Sequence, residues 1–117
     1  MDTYRELEVW QRSIDLVEEV YVLCRLLPTE EKYGLRSQMQ RCAVSIAANI
    51  AEGYGRQHRK EYLNHLSIAS GSLAELETHL IISTRLKYFD RNQILVAWDL
   101  TQRVGKMLTM LKRSLQE

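Results

Sequence analysis

Residues 62–83 read YLNHLSIASGSLAELETHLIIS. Within them Tyr62, Leu66, Ala69, Leu73, Leu76, Leu80 and Ser83 recur at alternating steps of four and three. That seven-residue repeat is the seam of a helix packed at a shallow angle on its neighbours, because a period of about 3.5 keeps one edge facing the partner. The stretch belongs to a predicted third helix over 58–86, and the same repeat returns on either side of it. Leu7, Trp10, Ile14, Val17, Tyr21 and Cys24 predict a first helix over 5–27, with Leu16, Val20, Leu23 and Leu27 as a second apolar strip beside that seam. Leu35, Met39, Cys42, Ile46, Ile50 and Tyr54 predict a second helix over 35–54. Ile94, Trp98, Thr101, Val104, Leu108, Leu111 and Leu115 predict a fourth over 91–115.

The punctuation agrees with four helices. Pro28 stops the first, since a residue before proline avoids the helical region. Thr29 is placed to cap a short turn that Gly34 ends, Gly53 and Gly55 close the second helix, and Asp90 is placed to cap the fourth. Five glycines and one proline in 117 residues are too few for the turns of a β-sandwich or barrel. Short connections make neighbouring helices antiparallel. The expected fold is therefore all-α: one domain over 1–117, an up-down-up-down four-helix bundle, with fraying at 1–4 and 116–117.

Small residues add a second signal. Ala43, Ser45, Ala47, Ala48, Ala51 and Gly53 surround the stripe of the second helix, and Ser67, Ser70, Gly71, Ala74 and Thr78 run beside that of the third. Close packing of these helices, within the chain or between copies of it, is expected at Ala47, Ser70, Gly71 and Ala74. Asn49 and Glu52 sit among the small residues. Buried polar groups of this kind hydrogen-bond across helices and fix register, or else form a shared acidic site in an oligomer. Glu52 is spaced to pair with Arg56.

Charge is balanced in sum, net +1, yet uneven in distribution. Residues 1–31 carry net −5, 32–60 net +5, 61–90 net −2 and 91–117 net +3. The densest basic run is Arg56-Gln57-His58-Arg59-Lys60, at the start of the third helix, with Arg36 and Arg41 along the second. Free backbone N–H groups and the helix dipole already favour anions at a helix N-terminus. Cations added there point to an outside partner: phosphate, or acidic residues of another subunit.

Catalytic equipment is thin. His65 and His79 lie fourteen residues apart, about 21 Å along one helix, and cannot share a metal within a chain. Glu75 and His79 are spaced by four, a side-chain pair on one helix face. Cys24 and Cys42 lack metal-site spacing and fit small buried apolar positions. No Gly-x-Ser-x-Gly elbow or phosphate-cradling glycine loop occurs. The expectation is a binding protein rather than an enzyme, with no cofactor, no metal and no small-molecule substrate. The polar start and the absence of a membrane-length apolar run lead to an expected cytoplasmic location.

Two stretches carry a resemblance. The run from Gln38 to Arg56, with Asn49-Ile50-Ala51-Glu52-Gly53 at its centre, resembles the signature of bacterial four-helix-bundle proteins encoded in 23S rRNA intervening sequences. Ile68-Ala69-Ser70-Gly71-Ser72-Leu73-Ala74-Glu75-Leu76-Glu77 looks like that family's second signature. Leu7-Glu8-Val9-Trp10-Gln11 matches its opening, and Pro28 with Glu31, Tyr33 and Gly34 its first connection; Cys42 stands where alanine is expected. The resemblance implies a left-handed bundle assembled as a homopentameric ring. It also implies kinship with the accessory proteins of diversity-generating retroelements, pentamers that bind nucleic acid and a reverse transcriptase. On that basis Arg36, Arg41, Arg56, His58, Arg59 and Lys60 are the candidate contacts to RNA or DNA. An adaptor role toward a protein partner is the alternative. With a net charge of +1, this chain departs from the strongly basic accessory proteins and would have to concentrate charge by symmetry.

Overall fold

The computed structural model describes residues 3–117. Four helices account for most of the chain: α1 (Glu8–Cys24), α2 (Leu35–Tyr54), α3 (Arg59–Arg85) and α4 (Arg91–Gln116). No strand occurs among the described residues. α1 packs on α2 and α4, α3 packs on α2 and α4, and the diagonal pairs do not meet. That is a square antiparallel bundle, a rod of 43 × 24 × 20 Å. The α2–α3 interface is the most extensive.

The first helix is shorter than its periodicity predicts. Tyr4–Glu6 form a separate 3-10 turn, and Leu7 is extended (φ −70°, ψ 124°). Local hydrogen bonds hold this break: the Arg5 amide donates to Thr3 Oγ1 at 3.1 Å, and Gln11 Nε2 donates to the Arg5 carbonyl at 2.9 Å. The Tyr4 ring meets Trp10 edge-on at 5.3 Å. Of the fraying expected at 1–4, residues 1 and 2 lie outside the described residues, while Thr3 and Tyr4 take part in this cap. At the other end, Leu26 and Leu27 donate to Leu23 and Cys24 in i→i−3 bonds that tighten the last turn ahead of Pro28.

The core-facing strip of α1 is also not the predicted seam. Val9, Ser13, Leu16, Val20, Leu23 and Leu27 are buried along with Cys24, whereas Tyr21 is 42% exposed. Both strips are apolar enough to serve, and the neighbouring helices select between them. Ser13 enters the core without an unmet hydroxyl because its Oγ donates to the Val9 carbonyl at 2.6 Å. The seams of the other helices lie where the repeat puts them. Met39, Cys42, Ile46 and Ile50 of α2 are buried, as are Leu66, Ala69, Leu73, Leu76, Leu80 and Ser83 of α3, and Thr101, Val104 and Leu108 of α4. Burying a large aliphatic side chain contributes about 1.5–3 kcal/mol, so these layers dominate the stability of the bundle.

The connections are fixed by side chains. Thr29 makes no side-chain cap on its 3-10 turn (Thr29–Glu31), contrary to its predicted role. Glu31 acts instead: Oε1 accepts the Leu35 amide at 3.1 Å, and Oε2 accepts from the Tyr88 hydroxyl at 3.0 Å. One carboxylate thus caps α2 and ties it to the α3–α4 turn. Asp90 does cap α4, in a reciprocal box with Gln93.

Candidate nucleic-acid interface

α2 ends at Tyr54 with Gly55 as its cap, and α3 begins at Arg59 after three intervening residues. Gly53 is buried, and a Cβ placed on it would lie 2.7 Å from His65 Cβ and 3.0 Å from Tyr62 Cδ1. α3 can approach α2 this closely only because Gly53 has no side chain. Tyr54 and Tyr62 meet edge-on at 6.1 Å across the same corner. These contacts fix the direction in which the chain leaves α2 and hold the start of α3.

On this base stand Arg56, Gln57, His58, Arg59 and Lys60, every one exposed. His58 is the extended N-cap of α3 and its side chain makes no cap hydrogen bond. The first turn of α3 therefore presents free backbone N–H groups beside three cationic side chains. Arg56 lies 3.8 Å from Glu52, the predicted i,i+4 pair, with both side chains about half exposed. Such a pair contributes about 0.3–0.5 kcal/mol and leaves the arginine able to exchange partners.

Two further arginines of the candidate set lie along α2, away from this corner. Arg36 sits in the first turn of α2, about 30 Å along the axis from Arg56, and Arg41 about 22 Å away. Both are exposed, on other parts of the rod.

The predicted packing residues divide as well. Ala47 is buried. Asn49 bridges α2 and α3: Oδ1 lies 3.0 Å from His65 Nδ1, while Nδ2 donates to the Ser45 carbonyl at 2.9 Å. Ser45 in turn meets Ser72 Oγ at 2.9 Å, and Glu52 lies 3.8 Å from His65. The register-fixing reading of Asn49 fits this network. Ser70 accepts from Lys112 Nζ at 2.9 Å and so joins α3 to α4. Gly71 and Ala74 are exposed, and a Cβ on Gly71 would meet nothing within 4 Å. The close helix contact expected at Gly71 is therefore absent within the chain and occurs at Gly53. His65, Ser45 and Ser72 were not predicted as partners, because no spacing along one helix reports a bond to another.

Elsewhere, Cys42 Sγ, a Glu75 carboxylate oxygen and a His79 ring nitrogen lie within 4.8 Å of one another. Both cysteines are free and buried. Burial pushes the Cys24 thiol up to about 11, and burial together with the Glu75 carboxylate pushes Cys42 up to about 12. No helix is long and apolar enough to cross a membrane, among the described residues.

A family model described as 23S rRNA-intervening sequence protein matches residues 5–110. The chain belongs to this family. Among solved structures, the chain is similar to a protein of unknown function from the S23 ribosomal protein family of Bacteroides thetaiotaomicron. The two are 28% identical and superpose with a TM-score of 0.82, over 89% of this chain and 97% of that one. No curated protein matches the chain. Neither the family description nor that of the structural relative names an enzymatic activity.

Proposed function

We propose that this chain is a non-enzymatic, oligomeric binding protein that contacts nucleic acid, structured RNA or RNA/DNA, through the corner between α2 and α3. One observation carries the reading: five consecutive exposed residues, three of them arginine or lysine, surround an uncapped helix N-terminus on a rigid base. Fixed donors and mobile cations together suit a phosphate backbone, which offers closely spaced anionic oxygens. A single corner supplies few contacts. A homopentamer, as the family resemblance implies, repeats it five times around one axis, which offsets the near-zero net charge.

The test is a gel-shift titration with structured rRNA fragments at low salt. Binding at micromolar protein is expected, weakening steeply as salt rises because each phosphate contact releases a counterion. The triple variant Arg56→Ala/Arg59→Ala/Lys60→Ala should abolish the shift. Arg36→Ala, at the far end of α2, should leave it nearly unchanged. No shift by the parent protein, or equal losses in both variants, rejects the corner.

A protein partner is the second reading, favoured by apolar exposure. Ile81, Ile82 and Leu86 at the end of α3 and Leu95 and Val96 on α4 are each 40–56% exposed. A groove between α1 and α4, lined by Asp15, Glu18, Glu19 and Asp99 beside Arg12 and Arg103, adds an acidic surface. Retention of a protein from nuclease-treated host lysate, with no RNA shift, favours this reading over the first.

A further inference from the structure

We propose that Cys42, Glu75 and His79 form a binding site for a zinc-class divalent cation at the α2–α3 seam, with three protein ligands and one coordination position open to solvent. The proposal is independent of the basic corner. It begins with convergence: the thiol sulfur, one carboxylate oxygen and one imidazole nitrogen all lie within 4.8 Å of one another. In a tetrahedral zinc site, bonds of about 2.0–2.3 Å put neighbouring ligand atoms roughly 3.4–3.6 Å apart. The three groups are therefore within roughly 1.4 Å of ligand spacing, a gap that side-chain rotation can close. Glu75 is exposed and free to make most of that adjustment.

The surroundings of His79 point the same way. Both of its ring nitrogens are shut off from solvent and have no hydrogen-bond partner among the described residues. The nearest charged atom is Glu75 Oε1, 4.0 Å from Nε2, which is beyond hydrogen-bond reach. An imidazole with both nitrogens shielded from solvent and neither satisfied is unusual in a folded protein, and a ligated cation would satisfy one of them. Cys42 makes only a weak contact to the Met39 carbonyl at 3.4 Å, so its sulfur can be redirected.

The chemistry of the set is selective. A thiolate and an imidazole suit zinc, cobalt and copper(I), and disfavour magnesium and calcium, which take oxygen ligands. On binding, the metal takes the place of the thiol proton, which passes to solvent. Thiolate and carboxylate together then carry two negative charges, which balance a divalent cation and avoid a net charge at a half-buried seam. Glu75 and His79, one turn apart on α3, supply a prearranged pair, and Cys42 comes from α2. A bound ion would therefore clamp the two helices with the most extensive interface in the bundle.

Cobalt(II) titration of the reduced, chelator-stripped full chain tests the site. Saturation at one equivalent per chain is expected, with the intense visible bands of tetrahedral cobalt and a thiolate-to-cobalt charge-transfer band in the near ultraviolet. Zinc should bleach both. Cys42→Ala should abolish the charge-transfer band, and His79→Gln and Glu75→Gln should each weaken binding at least tenfold. Cys24→Ala should leave the spectrum unchanged. Circular dichroism shows whether each variant is folded, and if Cys42→Ala is not, His79→Gln and Glu75→Gln decide. Absence of a charge-transfer band in the parent, or its persistence in folded Cys42→Ala, overturns the site, as do unchanged affinities in both ligand variants.

Discussion

Gly53 and Gly71 are both helical glycines, yet their surroundings are opposite. A Cβ on Gly53 would lie 2.7 Å from His65 Cβ, an atom next to the α3 backbone that cannot swing aside. Gly53→Ala should therefore push α3 off α2 and destabilise the protein by about 1–3 kcal/mol. Gly71 has open space, so Gly71→Ala should raise the stability of the isolated chain by up to about 1 kcal/mol through helix propensity alone. Paired thermal melts check both, and equal shifts for the two variants would contradict these placements. The thiols set a pH dependence. With folded values near 11 and 12 against an ordinary 9.0, Cys24 and Cys42 stay neutral in the fold where the unfolded chain ionises. Their contribution is complete below pH 9 and is lost as pH rises toward 11–12, with a limiting slope of about 1.4 kcal/mol per thiol per pH unit. Denaturation of the metal-free protein across that window should show a flatter alkaline limb for Cys24→Ala/Cys42→Ala. Asn49 was legible from sequence as a polar residue needing a partner. Its partner His65 was not, because sixteen residues and a helix corner separate the two.

Helix ends hold the largest local departures from periodicity. α3 closes with Lys87 in the left-handed region (φ 65°), the one described non-glycine residue with positive φ. The Lys87 amide donates to Thr84 at 3.0 Å and the Tyr88 amide to Ser83 at 2.9 Å, the two bonds of a Schellman cap. Glycine is the residue that takes this conformation without steric cost. Lys87→Gly should stabilise the protein by about 1 kcal/mol, a rise of roughly 4 °C in melting temperature. An unchanged or lowered melting temperature would show that Lys87 has a compensating contact. The α4 cap at Asp90 was readable, since an acidic side chain before a periodic run has a direct local purpose. The break at Leu7 and the capping by Glu31 were not. Each depends on a side chain reaching back several residues or across to another element, which no apolar pattern encodes.

At the scale of the whole molecule, the bundle leaves surfaces that one chain does not cover. The small-residue strip through Ser67, Gly71, Ala74 and Thr78 faces outward, and apolar side chains on α3 and α4 are half exposed. An exposed strip of small residues lets another helix approach closely, and exposed apolar groups supply the driving force. Static light scattering should give a mass of about five times 13.7 kDa, and a 13.7 kDa species at micromolar concentration would reject the pentamer. Gly71→Leu separates the levels: it should lower the assembled mass while leaving the helical content of the chain intact.

The sequence by itself determined the number of helices, their order and the core-facing edge of three of them, because the heptad repeat is local and a shallow packing angle is its consequence. It also located the basic corner, because the five residues are consecutive. Only the tertiary structure decided which apolar strip of α1 faces inward and that Gly53 rather than Gly71 is the close contact. It alone brought Cys42 to Glu75 and His79. The physical reason is common to all three: each is a relation between helices, set by rotation and register when the cores interlock, and a single helix carries no record of either.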